Sequence, residues 1–324
     1  MRTRSAPSGN RIAIIGAGHV GSTAAYALML RALFREIVLI DSNLELAAAE
    51  AADLSDANAL ARPAKIWAGT YEDAASARIA LITAGAATHG KETRISVAAK
   101  SADVMRRCVD ELMGGGFSGI IVVAANPVDL MTLIALRRSG LPPTNVMGTG
   151  TLLDTSRLRQ KLSTQMQVAP GSIDALVLGE HGDSEVIAFS TLRIGGLSLG
   201  QFAPSDEPNH YEVASSVRNA AYEIVGGKGY TSFGIATAVV RICEAIVRDE
   251  HSVLPVSVLV SGQFGMKGIC LSLPCVVGAD GIERILLPAL ERDEIEALRA
   301  SAAILRTADS ELNQEQETPA KELE

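Results

Sequence analysis

The feature that most restricts this chain is a glycine cluster set between a strand-like and a helix-like stretch. Residues 11–16 (RIAIIG) are a short apolar run, the pattern of a buried strand, and residues 19–33 are Ala-rich and helical in spacing. Gly16, Gly18 and Gly21 between them have the spacing G-x-G-x-x-G. The first glycine permits a tight turn, the second lets backbone approach a pyrophosphate, and the third lets helix lie against strand. A second apolar run, residues 36–41, ends in Asp41, twenty residues past Gly21. An acid there accepts hydrogen bonds from a ribose 2′-hydroxyl and repels a 2′-phosphate. The pattern predicts a dinucleotide site that prefers NAD over NADP, with helix amides directed at the phosphates. A glycine-rich turn without function is the alternative, and context and spacing together weigh against it.

The rest of the first half repeats the same rhythm. Residues 44–60 read as a helix, residues 65–68, 79–84 and 119–124 as strands, and residues 93–113 as helical in their later part. Apolar strands alternating with helices predict an α/β fold, a Rossmann-type doubly wound parallel sheet. The second half is less regular. Residues 151–165, 211–226, 235–248 and 292–306 have helical spacing, while 172–178, 253–260 and 271–277 are strand-like. That mixture predicts an α+β substrate-binding domain. The expected division is 1–149 for dinucleotide binding, 150–308 for substrate and catalysis, and 309–324 as a polar, frayed tail.

Composition excludes several classes. The 324 residues are too many for one ordinary core, and 48% of them are apolar, enough for a large interior. The net charge is −8 without a basic stripe, which argues against nucleic acid as a partner. No apolar run reaches membrane-spanning length, and the first ten residues lack the apolar centre of a secretory signal. Four cysteines without a CxxC pair predict reduced thiols, and with them a cytoplasmic protein. Five histidines without a ligand-spaced cluster do not suggest a metal.

Four further segments carry chemistry. They are AGAATHGKETR (84–94), VAANPVD (123–129), GTGTLLDTSR (148–157) and GEHGDS (179–184). Together with KGYTSFGIA (228–236), they make residues 11–307 resemble the L-lactate/L-malate dehydrogenase family, closer to its lactate branch. The resemblance implies a hydride transfer between nicotinamide and the C2 carbon of a small 2-hydroxy or 2-oxo acid. It implies His181 as the acid/base, with Asp154 holding its ring, and Arg157 as the grip on the substrate carboxylate, a bidentate geometry that Lys cannot copy. Arg94, at the end of a glycine-containing lid, resembles the Arg that polarises the carbonyl on closure. Asn126, Thr88 and Thr231 match substrate-contacting positions. Gly16, Gly18, Val20, Gly21, Asp41, Ala84, Gly85, Asn126 and Ile235 match cofactor-contacting ones. Taken singly, Asp154 and Arg157 read as a solvated helical ion pair and His181 as a turn residue.

Two departures from the family pattern matter. Thr88 stands where lactate enzymes commonly carry Gln and malate enzymes Arg, and Gly90 replaces a usual Pro. Without positive charge, Thr88 argues against a dicarboxylate, and its short side chain allows a roomier pocket. His89 keeps malate dehydrogenase as the second reading, and a catalytically silent NAD-binding protein is the third. Arg159 matches one half of the sugar-bisphosphate site of many bacterial relatives, but Asp174 stands where their His would be. A carboxylate there repels phosphate, so activation by fructose 1,6-bisphosphate is not expected. The resemblance also implies a homo-oligomer, a tetramer more than a dimer.

Overall fold

The apolar runs of the first half become strands in a computed structural model that describes residues 10–86, 94–205 and 208–317. In chain order the elements are β1 (Arg11–Ile15), α1 (His19–Leu30), β2 (Glu36–Ile40), α2 (Leu44–Asn58), β3 (Lys65–Ala68), α3 (Tyr71–Ala74), β4 (Ile79–Ile82), α4 (Arg94–Gly114), β5 (Ile120–Val123), α5 (Val128–Ser139) and β6 (Val146–Gly148). The strands lie in the order β3-β2-β1-β4-β5-β6 and are all parallel. β4 and β5 are buried along their whole length, because helices cover both faces of the sheet. Alternate residues of β1 serve opposite layers. Ile12 and Ile14 pack with Leu28 of α1 and Leu54 of α2, while Ala13 and Ile15 pack with Met105 of α4 and Met131 of α5. The strand order reverses beside β1, which opens a crevice at the carboxyl ends of β1 and β4.

The second half continues with α6 (Leu152–Met166), β7 (Ile173–Asp174), β8 (Val177–Leu178), β9 (Val186–Ile187), β10 (Arg193–Ile194), β11 (Leu197–Ser198), α7 (Leu199–Phe202), α8 (His210–Lys228), α9 (Phe233–Val247), β12 (Ser252–Ser261), β13 (Lys267–Gly278), β14 (Gly281–Ile285) and α10 (Arg292–Glu317). The long strands do not found a separate sheet. β12 pairs antiparallel with β6 at Ser257 and Gly148, and β13 and β14 follow, so the described residues form one nine-stranded sheet across the expected 149/150 division. Val239 and Ile246 of α9 enter the same core layer as α1. A third apolar cluster joins Leu158 and Leu162 of α6 to Val213 and Val217 of α8.

Two expectations need correction. Residues 172–178 are not one strand: β7 pairs with β10 and β8 with β9. The polar tail is not frayed where it is described. α10 runs to Glu317, Leu312 is 6% exposed, and Asp309 takes a two-armed hydrogen bond from Arg137 at 2.7 and 2.9 Å. Leu298, Leu305 and Leu312 recur every seven residues and, with Ala302, bury one stripe of the helix. No helix among the described residues is long and apolar enough to cross a membrane.

Candidate active site

The glycine loop turns from β1 into α1 under tight steric control. Gly16 has φ +103°, where an L side chain is strained, and a Cβ on Gly21 would lie 1.9 Å from the Gly16 carbonyl oxygen. A Cβ on Gly18 would meet nothing within 4 Å, so open space lies beside the loop at the start of α1. Asp41, just past β2, accepts the Ala17 amide at 2.7 Å and the Asn43 amide at 2.8 Å. One carboxylate thus braces the loop and the start of α2, and its oxygens keep lone pairs for a hydroxyl. Thr83 donates to the Gly16 carbonyl at 2.8 Å and Ala84 to the Ile15 carbonyl at 3.0 Å, which places Ala84 and Gly85 along the same crevice. Val20 is half-buried in the first turn of α1. A close-packed turn opening into a helix N-terminus, with an acid at the neighbouring strand end, fits a dinucleotide pyrophosphate and ribose.

The second group of residues meets where α6 and the 179–185 loop are tied together. Ser272 of β13 accepts the Thr151 amide on its hydroxyl at 3.0 Å, and its backbone exchanges hydrogen bonds with Gly179 at 2.9 and 3.0 Å. The Thr151 hydroxyl donates to the Val177 carbonyl, and the Val177 amide donates to the Thr155 hydroxyl at 3.0 Å. These bonds set the first turn of α6 against the strand that leads into His181.

There the His181 Nδ1 stands 2.6 Å from Asp154 Oδ2, and Arg157 Nη1 donates to Asp154 Oδ1 at 2.8 Å. Asp154 and Arg157 are one helical turn apart, which puts both on one face of α6. Only 3% of the Asp154 side chain is exposed, against 25% for His181 and 15% for Arg157, so the carboxylate is inside and the two cations look outward. Burial would push the imidazole down, but the charge and hydrogen bond of Asp154 outweigh it and lift His181 to about 9. Burial likewise penalises the Asp154 carboxylate, and His181 and Arg157 more than reverse this, holding it below the usual range. With Nδ1 turned to a carboxylate, Nε2 is the nitrogen left to exchange a proton.

Two acids that sequence reasoning did not single out belong to this site. Asp129, fully enclosed in the first turn of α5, accepts the His181 backbone amide at 2.8 Å and the Ser257 hydroxyl at 2.5 Å. Burial raises its carboxyl to about 6, against the pull of Ser257 and His181. Glu185 is buried four residues beyond His181. Asp129 closes the segment VAANPVD and Glu185 directly follows GEHGDS, so nearness to those segments was the available signal.

The remaining expected residues are placed less tightly. Asn126 follows β5, is exposed, and precedes Pro127 through a cis peptide bond. Thr231 and Ile235 are half-buried at and just inside the start of α9. Arg94 opens α4, and Thr88, His89 and Gly90 lie outside the described residues. Arg159 Nη2 stands 3.9 Å from Asp174 Oδ1.

A dinucleotide crevice at one end of a parallel sheet and an imidazole–carboxylate–guanidinium group beyond it define the class of NAD-dependent dehydrogenases. The family model described as the lactate/malate dehydrogenase NAD binding domain matches residues 10–148, and that of the lactate/malate dehydrogenase alpha/beta C-terminal domain matches residues 151–316. The chain belongs to the lactate/malate dehydrogenase family. It is 41% identical over 301 residues to an L-lactate dehydrogenase of Acetivibrio thermocellus, covering 91% of this chain and 95% of that one. It is 41% identical over 307 residues to an L-lactate dehydrogenase of Thermus aquaticus, covering 93% and 99%. Among solved structures, a lactate dehydrogenase, MGS-M5, from a Medee basin deep-sea metagenome library is similar with a TM-score of 0.91 and 36% identity, over 94% of this chain and 99% of that one. The minor L-lactate dehydrogenase from Enterococcus mundtii, in a ligand-bound form, is similar with a TM-score of 0.90 and 37% identity, over 93% and 98%.

Proposed function

We propose that this chain interconverts pyruvate and L-lactate with NAD(H), and the observation that carries this is the 2.6 Å contact of His181 with Asp154 beside Arg157. Bound in the crevice, the nicotinamide supplies or accepts the hydride. Everything else falls to the protein. His181, cationic through its partner, gives the Nε2 proton to the C2 oxygen in the reducing direction and takes it back in the other. Asp154 fixes the ring and stabilises its charge. Arg157 gives one N–H to Asp154 and meets no other hydrogen-bond partner among the described residues, so its remaining donors can clasp the substrate carboxylate. Arg94 polarises the carbonyl, Asn126 positions it, and Thr88 and Thr231 wall the substrate. Gly16, Gly18, Val20, Gly21, Asp41, Ala84, Gly85 and Ile235 line the cofactor.

Thr88 brings no positive charge to a second carboxylate, which supports pyruvate over oxaloacetate, and the relatives above are lactate enzymes. The division at 149/150 separates most of the cofactor-lining residues from His181, Asp154 and Arg157, while Thr88, Arg94 and Asn126 reach the substrate from before it and Ile235 the cofactor from after it. Four free, buried cysteines support a reducing, cytoplasmic setting. Exposed Tyr26 and Leu30 on α1, Tyr222 on α8 and Phe233 on α9 support self-association, here proposed as a homotetramer.

The test is NADH oxidation, and NADPH oxidation beside it, over a panel of 2-oxo acids. Pyruvate with NADH is expected to give the highest kcat/KM. A clear preference for oxaloacetate, or no turnover with any 2-oxo acid despite NADH binding, overturns the proposal.

A further inference from the structure

The loop that brings His181 to the site also carries a carboxyl inward that the chemistry above leaves unused. Glu185 is 4% exposed, and its Oε1 is buried without a hydrogen-bond partner among the described residues. Other acids of the loop are engaged: Glu180 accepts from the Ser184 hydroxyl, and Asp183 from the Tyr222 hydroxyl at 3.0 Å. The charged groups facing Glu185 are Asp154 and Arg157 from α6, His181 from its own loop and Arg218 from α8. Arg218 is itself unsatisfied, for its Nε is buried without a partner among the described residues. Three cations and one anion therefore surround the carboxyl; the cations favour its charged form, but burial and Asp154 outweigh them.

We propose that Glu185 is a positioning residue that acts through Arg157 and His181: protonated, it leaves their charge to the substrate carboxylate, and ionised, it competes for that charge and weakens substrate binding. It rests on the activity proposed above. The competition is electrostatic and needs no movement of the fold. Adding a negative charge beside Asp154 cancels part of the positive surplus that draws an anion to Arg157. Burial first, and Asp154 second, raise the Glu185 carboxyl to about 8, so the exchange falls just above neutrality. Proton uptake and anion binding are then linked: each favours the other by the same factor.

The experiment compares the protein with Glu185→Gln, which keeps shape and removes the titration. Pyruvate KM and kcat are followed with saturating NADH from about pH 6 to about pH 10. The unaltered protein is expected to show KM rising roughly fivefold or more around pH 8, with kcat changing less. In Glu185→Gln the KM should stay flat until His181 titrates. A second measurement is calorimetric binding of oxamate, the amide isostere of pyruvate, to the NADH-loaded protein at about pH 8.5 in buffers of different ionisation heat. The unaltered protein should take up more protons than the variant. If Glu185→Gln does not fold, Glu185→Ser serves both measurements. Pyruvate turnover that is present but has coincident pH profiles and equal proton uptake in the two proteins sinks this inference alone. Absence of turnover in the unaltered protein sinks the proposed function, and this inference with it.

Discussion

Asp129 holds His181 by its main chain: the buried carboxylate accepts the histidine's backbone amide at 2.8 Å. The same carboxylate accepts the Ser257 hydroxyl at 2.5 Å, so one side chain joins α5, the 179–185 loop and β12. Asp129→Ala leaves two buried donors unpaired. The expected loss is about 2–4 kcal/mol of stability in urea unfolding, with kcat falling by a larger factor than KM rises. Asp129→Asn keeps an acceptor and should lie between. Because folding raises this carboxyl to about 6, its folded form binds the proton more tightly than the unfolded chain. Its contribution to stability therefore declines as pH rises from about 4 to about 6, and that slope should vanish in Asp129→Asn.

His181 raises the opposite expectation. Its folded value of about 9 lies above the unfolded value of about 6.5, so its pairing with Asp154 stabilises the fold fully below about 6.5, and this is lost as pH rises through about 9. Pyruvate reduction needs the cationic ring and should fail over the same alkaline range. Asp154→Asn removes the main opposing charge and leaves the burial, so the alkaline limb of kcat should move down by about two pH units. His181→Ala should lower turnover by about a thousandfold or more while NADH still binds, as fluorescence titration can show. An unchanged alkaline limb in Asp154→Asn would count against the pairing as the source of the imidazole's basicity.

Gly21→Ala tests the cofactor loop without touching the imidazole. The added methyl carbon has 1.9 Å to the Gly16 oxygen and 2.9 Å to the Thr83 hydroxyl, too little for any rotamer to relieve. Backbone must shift, at about 1–3 kcal/mol, and the amides that meet the pyrophosphate shift with it. NADH affinity is expected to fall at least about tenfold, the equivalent of about 1.4 kcal/mol. Retained affinity would show that the pyrophosphate does not sit over this turn.

Asp174 sets an expectation about regulation. Its carboxylate lies 3.9 Å from the Arg159 guanidinium, offsetting the positive charge that a phosphate would seek. Fructose 1,6-bisphosphate should leave the pyruvate KM unchanged. A marked decrease on adding the sugar would refute this.

The sequence showed β1, β2, β4 and β5 plainly, because strands buried on both faces are written as unbroken apolar runs and glycine marks the turn between β1 and α1. It hid α5 for the same reason. VDLMTLIALRRS is buried on nearly all sides, so no 3.6-residue stripe separates it from its surroundings. The pairing of β12 with β6 and the split of β7 from β8 depend on partners far along the chain, which spacing cannot display. Among site residues, His181, Asp154 and Arg157 were legible because their types recur in short motifs. Asp129 and Glu185 were not, since what distinguishes them is enclosure: Asp129 meets Ser257 across 128 positions, and Glu185 faces Arg218 from another helix.

The seam between Gly148 and Ser257 has a consequence for inheritance. Cut there, each half would present a raw strand edge to whatever chain lay near, and both would tend to stick rather than to work. Neither half could be lent out or borrowed without first closing that wound. Any exchange of parts would then demand a second change, one that covers the bared edge.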